Sequence, residues 1–174
     1  MISIVVSTNR QEATSEKVAL YYQILLKAQN ADSQLINLID LPTDFIFTAL
    51  YNNAGKNERF NLIQQAIIDT EKFVFIVPEY NGSFPGVLKA FIDGLPYPSP
   101  FKDKKIALVG LSSGIQGGAL ALSHLSDIFA YLNANVLGTR VKLMQIEKNL
   151  VDGKITNDFY NQLLNDQVKK LVAF

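Results

Sequence analysis

The chain has 174 residues, 48% of them hydrophobic, with 16 basic and 16 acidic side chains and no cysteine. This length and hydrophobic content predict one domain, over residues 1–174, with a sizeable core. The balanced charge provides no basic field for nucleic acid or an anionic membrane surface, and without cysteine there are no disulfides or thiolate metal ligands. We expect a cytoplasmic protein, because no signal-peptide pattern precedes the first strand and no apolar run approaches transmembrane length.

The first predicted strand, Ile2–Val6, leads into a polar loop over residues 7–15 that opens a helix. Apolar side chains at helical spacing predict the buried side of this helix: Val18, Ala19, Tyr21, Tyr22, Leu25 and Leu26. The loop carries hydroxyls at Thr8, Thr14 and Ser15 and a guanidinium at Arg10. Together with free amides of the first helical turn, these donors suit a phosphate group. The alternative is ordinary N-capping of the helix by Thr14 or Ser15.

The next part of the chain carries little recognisable chemistry. Residues 35–38 form the second predicted strand, residues 44–57 a loop or short helix, and residues 58–70 a further helix. The aromatic side chains of Phe45, Phe47 and Tyr51 are expected to pack against the sheet more readily than to touch a partner subunit or cover a ligand.

The third predicted strand, residues 73–77, is an apolar run suited to a central parallel strand. Residues 78–86 then contain two prolines, two glycines, an asparagine and a serine, so several backbone N–H groups there lack regular partners. Pro85 suits the first turn of the helix that follows, whose apolar positions are Val87, Leu88, Phe91, Ile92 and Leu95. Because ligands of open α/β sheets bind at the carboxyl ends of the strands, we expect function at this loop.

A third loop rich in glycine and hydroxyl groups, residues 110–118, follows the predicted strand 106–109. Gly110 to Gly114 matches the G-x-S-x-G pattern of a serine hydrolase elbow, so a nucleophilic Ser112 or Ser113 is one hypothesis. The only histidine, His124, lies in the next predicted helix, residues 119–133, where we expect it to be packed or at an interface.

The last strand is predicted over residues 136–137 and 141–146, with a break at Gly138. A turn at Asp152-Gly153 precedes a final helix capped by Thr156 or Asn157, and its predicted buried stripe is Phe159, Leu163, Leu164, Val168, Leu171 and Val172. Five strands alternating with about five helices predict an α/β fold: a three-layer, doubly wound, five-stranded parallel sheet of order 2-1-3-4-5 with helices on both faces.

The loop Pro78 to Gly86, followed by Leu88-Lys89 and Ile92-Asp93, resembles the signature loop of the NADPH-dependent FMN reductase family. That family is flavodoxin-like and includes quinone, chromate and azo-dye reductases. The resemblance extends over essentially the whole chain, although Ser7 and Ala13 replace a glycine and a serine of the family's phosphate loop and Glu12 adds a carboxylate there.

The resemblance implies FMN as cofactor and NADPH or NADH as co-substrate, with no obligatory catalytic side chain and no metal. The implied cofactor-binding residues are Thr8, Arg10 and Ser15 for the phosphate, Pro78, Glu79, Tyr80, Asn81 and Gly82 around the ring, and Ser112, Ser113 and Gly114 on its other side. Electrons would pass to a quinone, an azo compound, a free flavin or a metal oxyanion. A homodimer or homotetramer is also implied.

Two other functions remain open from the sequence. One is an electron carrier that binds FMN without using NAD(P)H, and the other is a fold relative that has lost FMN and acts as an interaction module. Glu79 is expected to organise its loop or touch a partner subunit, and Lys89 with Asp93, four residues on, to form a surface ion pair.

Overall fold

The computed structural model describes residues 1–174 and contains a parallel sheet between two layers of helices. The strands of the sheet are β1 Ile2–Val6, β2 Ser33–Asn37, β3 Lys72–Pro78, β4 Lys105–Leu111, β5 Asn135–Val136 and β6 Val141–Leu143. Their order is β2-β1-β3-β4-β5, and β6 also pairs with β4. The predicted order 2-1-3-4-5 is confirmed.

The central strands are buried on both faces, which explains their unbroken apolar sequences. Val5 pairs with Phe75, and Phe75 pairs with Leu108, in parallel register. The helices are α1 Thr14–Ala28, α2 Phe45–Thr48, α3 Glu58–Ile68, α4 Gly86–Asp93, α5 Ala119–Tyr131, α6 Ile146–Asn149 and α7 Asp158–Ala173. One apolar cluster joins the sheet to α3, α4 and α5, and another joins it to α1 and α7.

The fifth strand position is split between β5 and β6, as the sequence predicted, and a glutamine of α7 fills the gap. Gln167 is fully buried. Its Nε2 donates hydrogen bonds to the carbonyl oxygens of Leu108 at 2.9 Å and Thr139 at 2.7 Å, and its Oε1 accepts one from the Tyr22 hydroxyl at 3.1 Å. These bonds satisfy backbone groups that an unbroken strand would have paired.

The region after β6 differs from the prediction. Residues 144–146 do not extend the strand; after Gln145, whose φ is 46°, the chain forms α6 and then an antiparallel pair, β7 Leu150–Val151 and β8 Lys154–Ile155. The predicted turn at Asp152-Gly153 joins β7 to β8. Asn157 caps α7 by accepting a hydrogen bond from the Tyr160 amide at 3.1 Å. This start leaves Phe159 61% exposed and buries Tyr160 instead, so the prediction for Phe159 is wrong.

Smaller differences concern the segment before α3. The second strand begins two residues earlier than predicted, and Leu38–Asp40 forms a 3₁₀ turn. Of the three aromatic side chains of this segment, Phe45 is buried, whereas Phe47 and Tyr51 are exposed. Pro85 lies one residue before α4 rather than within its first turn. None of the helices is both long enough and apolar enough to cross a membrane.

Candidate active site

The loops that follow β1, β3 and β4 border one cavity at the carboxyl edge of the sheet. The cavity is open to solvent and has a volume of about 470 Å³. Eight of the residues implied by the family resemblance line it: Thr8, Arg10, Ser15, Pro78, Glu79, Tyr80, Ser112 and Ser113. Three others, Asn81, Gly82 and Gly114, do not. The three loops therefore meet as the parallel strand ends require.

The N-terminus of α1 opens into this cavity without a side-chain cap. The capping position belongs to Ala13, which has no side-chain acceptor, so the alternative of capping by Thr14 or Ser15 is wrong. The hydroxyl of Ser15 is buried and has no hydrogen-bond partner. The cavity therefore contains several hydrogen-bond donors without acceptors: the first amides of α1, the Ser15 hydroxyl and the Arg10 side chain. A phosphate group fits this donor set, because it supplies several charged acceptors to a helix N-terminus.

Tyr80 links the signature loop to the phosphate loop. Its hydroxyl shares a hydrogen bond of 2.8 Å with the hydroxyl of Thr8, which also accepts one from the Arg10 amide at 3.2 Å. The Tyr80 ring therefore borders the cavity on the side of the phosphate loop.

A tight turn places Asn81 and Gly82 at the tip of the signature loop. The backbone groups of Tyr80 and Ser83 pair in both directions, at 2.8 and 3.0 Å, and the φ angles of Asn81 and Gly82 are 51° and 72°. This turn carries both residues out of the cavity lining. Their N–H groups make no backbone hydrogen bond, so they remain donors at the rim.

Glu79 connects the second loop to the third. Its Oε2 accepts a hydrogen bond from the Gly118 amide at 3.0 Å, at the start of α5. Gly118 has a φ of 78°, and a Cβ there would lie 3.1 Å from the Gly110 Cα, so only glycine fits without strain. This contact agrees with a loop-organising role for Glu79. Lys89 and Asp93 form the expected ion pair at 2.7 Å.

Ser112 also holds its own loop together. Its hydroxyl donates to the Gly114 carbonyl oxygen at 3.0 Å and accepts from the Gly117 amide at 2.8 Å. His124 is exposed rather than packed, and its Nδ1 shares a hydrogen bond of 2.9 Å with Ser83. The only histidine is thus paired with Ser83, so the hydrolase hypothesis has no histidine partner for Ser112 or Ser113.

The charge of the cavity depends on a residue that the sequence analysis missed. Arg10 is the one cation in the lining, and Glu79 and Glu147 are the two carboxylates. Glu12, which the sequence places in the phosphate loop, is not in the lining. Glu147 enters from the first turn of α6, a helix that the sequence analysis assigned partly to strand. Ala13, Thr14, Leu111 and Ile146 complete the lining; the sequence places Ala13 and Thr14 in the phosphate loop, whereas Leu111 and Ile146 were missed.

Comparisons with known proteins agree with this geometry. The family model described as NADPH-dependent FMN reductase matches residues 1–147. A 2-hydroxy-1,4-benzoquinone reductase of Burkholderia sp is 31% identical over 116 residues, which cover 64% of this chain and 63% of that protein. An NAD(P)H-dependent FMN reductase of Pseudomonas aeruginosa is 32% identical over 118 residues, covering 66% and 62%. The matched part therefore spans less than two thirds of these relatives' length.

A solved structure shares the whole fold. The flavoenzyme NAD(P)H:(acceptor) oxidoreductase of Paracoccus denitrificans superimposes with a TM-score of 0.82 over 99% of this chain and 94% of its own. The two sequences are 23% identical, so this likeness concerns the fold.

Proposed function

The chain belongs to the NADPH-dependent FMN reductase family, and from this membership we propose that it is an FMN-dependent oxidoreductase. It takes a hydride from NADPH or NADH and passes electrons to a quinone, an azo compound, a free flavin or a metal oxyanion. The observation that carries the proposal lies at the end of the cavity formed by the α1 N-terminus. There the buried Ser15 hydroxyl and the uncapped amides have no acceptor within the chain, and a phosphate would supply one. The quinone and flavin reductases among the relatives support the same chemistry.

Bound FMN would supply the redox chemistry between the nicotinamide and the electron acceptor. The chain's own residues bind and orient it. Ser15, Arg10 and the first amides of α1 hold the phosphate, because each offers an N–H or O–H to a charged oxygen. Thr8 holds Tyr80 beside this end of the cavity.

The other two loops form the sides of the ring site in this proposal. Pro78, Glu79 and Tyr80 border one side, and Ser112 and Ser113 border the other. The free N–H groups of Asn81 and Gly82 lie at the rim of the cavity, where they would donate hydrogen bonds to the edge of the flavin ring. Glu79 keeps the two sides at a fixed separation through Gly118. No side chain has to gain or lose a proton in this scheme.

The visible absorption spectrum of the purified protein tests the proposal. We expect a flavin spectrum, present on purification or after adding FMN, that bleaches when NADPH is added without oxygen. A bound flavin that NADPH and NADH both leave oxidised would favour the electron carrier. If no flavin is retained or titratable, the interaction module takes the place of the reductase.

We also propose that the protein associates as a homodimer or homotetramer and works in the cytoplasm. Large apolar side chains on the segment around α2 support the association, since Phe47 is 79% exposed and Tyr51 is 81% exposed. Light scattering after size exclusion tests it. A monomer at micromolar concentration, with and without FMN, would contradict the association, and cell fractionation tests the location.

A further inference from the structure

A second groove lies beside the candidate site, between the first turns of α5 and the edge strand β6. It is open to solvent, with a volume of about 840 Å³, and its lining includes Leu120 and Ser123 of α5 together with Arg140 and Lys142. Both charged side chains of its lining are cations, and no carboxylate lines it. The groove is therefore a positively charged surface in a chain whose formal net charge is zero.

Neither cation is neutralised by an acidic partner. The three ion pairs of the structure use Lys89, Lys104 and Lys170 instead. The Arg140 guanidinium donates one hydrogen bond, to the Ser126 hydroxyl at 3.1 Å. That contact holds the guanidinium against α5 and leaves its other N–H groups available.

The groove adjoins both loops that border the ring side of the candidate site. At Gly117 a Cβ would lie 3.1 Å from the Lys142 Cβ, so the missing side chain lets Lys142 pack directly against the third loop. Leu120 Cδ1 lies 4.0 Å from the Cβ position of Gly82, at the tip of the signature loop. A ligand that extends from the proposed ring site past these two loops would reach the groove.

We propose that this groove binds the phosphate groups of the pyridine dinucleotide whose nicotinamide reaches the ring site. The inference rests on the proposed function and names the part of the chain that would hold its reductant. Arginine suits phosphate because its planar N–H groups match two oxygens at once, and lysine adds a point charge. An anionic electron acceptor would meet the same charges. A lysine at an edge strand also discourages strand pairing between molecules, a role that needs no ligand.

The decisive comparison uses the flavin-loaded protein and the double variant Arg140→Ala/Lys142→Ala. Its control, Lys27→Ala/Lys169→Ala, removes the same charge from exposed lysines that form no ion pair and lie outside the groove. Anaerobic stopped-flow reduction gives the Kd for NADPH. We expect it to rise about 10-fold in the groove variant, as losing charge-assisted contacts to phosphate implies, and to stay unchanged in the control.

A hydride donor without phosphate separates binding in the groove from damage to the site. With 1-benzyl-1,4-dihydronicotinamide the groove variant should be reduced at the wild-type rate. An unchanged Kd for NADPH, or an equal loss with both donors, would overturn the proposal. A change confined to the KM of a sulfonated quinone, with NADPH and a neutral quinone unaffected, would assign the groove to the acceptor and would also overturn it.

Calorimetry with NADP⁺ and with ADP makes the test independent of turnover. Wild-type protein should bind both, and the groove variant should bind both about 10-fold more weakly. If NADPH fails to reduce the flavin but this binding difference holds, the proposed function fails while the groove stands. If the wild-type protein binds neither compound, the groove proposal fails whatever the flavin does.

Discussion

Two buried polar side chains at the sheet differ in a way that separates folding from function. Gln167, where the fifth strand is split, makes three hydrogen bonds and leaves none of its groups unpaired. Ser15, at the carboxyl edge, is equally buried, and its hydroxyl has no partner. Because an unpaired buried polar group costs free energy, we infer that the chain tolerates one at Ser15, where the proposed phosphate would complete it, and satisfies one at Gln167, where only the fold is served.

The largest effect is expected from Gln167→Leu. This change leaves the buried carbonyl oxygen of Leu108 and the partly buried one of Thr139 without their side-chain donor. Losing these bonds should lower the free energy of unfolding by about 3 kcal/mol. Urea denaturation followed by circular dichroism measures it.

The matched control for Gln167 is Gln162→Leu, an exposed glutamine of the same helix. It should change the free energy of unfolding by less than about 0.5 kcal/mol. Equal stability of the two variants would show that Gln167 does not hold the split strand together, and the contrast with Ser15 would then be lost.

Ser15→Ala should leave the stability almost unchanged and weaken FMN binding. The unfolding free energy of the flavin-free protein should stay within about 0.5 kcal/mol of wild type, because the hydroxyl has no partner to lose. FMN binding should weaken about 10-fold, the effect of one hydrogen bond to a charged phosphate. Titration with riboflavin, which lacks the phosphate, should give the wild-type Kd.

Ser3→Ala is the matched control for Ser15→Ala, because Ser3 is also a buried serine. Its hydroxyl shares a hydrogen bond of 2.7 Å with Thr70 and accepts another from Gln34 at 2.9 Å. It should therefore lower stability and leave the FMN affinity unchanged. The interpretation of Ser15 would be wrong if its alanine variant behaved like that of Ser3.

Much of the site could be predicted from sequence because the signals are local. The apolar runs of β1, β3 and β4 end at breakers, and parallel strands bring their carboxyl ends to one edge. Glu147 could not be predicted, because the turn at Gln145 that starts α6 is held by hydrogen bonds from the Gln145 and Ile146 amides to the third loop. Neither could the position of Asn81, which depends on the pairing of Tyr80 with Ser83. Gln167 is one polar residue among several on an amphipathic helix, and only the split strand distinguishes it.

Tyr22, which donates a hydrogen bond to Gln167, makes the free energy of unfolding depend on pH. Burial raises the pKa of the Tyr22 phenol well above its ordinary value of 10.0. Above pH 10 the unfolded chain releases this proton while the folded chain keeps it, so the free energy of unfolding falls as pH rises, by about 1.4 kcal/mol per pH unit. Tyr22→Phe should lack this part of the alkaline loss.

Denaturation midpoints between pH 9 and 11 measure the difference between wild type and Tyr22→Phe. The exposed Tyr131→Phe is the control and should follow the wild-type profile. Parallel alkaline profiles for all three proteins would mean that Tyr22 does not stay protonated in the fold.

The smallest expected effect comes from Glu147, the carboxylate nearest in sequence to the start of α6. Glu147 lines the cavity with Arg10 as the only cation, so it opposes a phosphate dianion that Ser15 and the α1 amides attract. Its side chain is exposed and partly screened by salt, and Glu147→Gln should tighten FMN binding about threefold at low ionic strength. Riboflavin binding should not change, and 0.5 M salt should reduce the gain. A matching gain for riboflavin would instead place Glu147 beside the flavin ring and away from the phosphate.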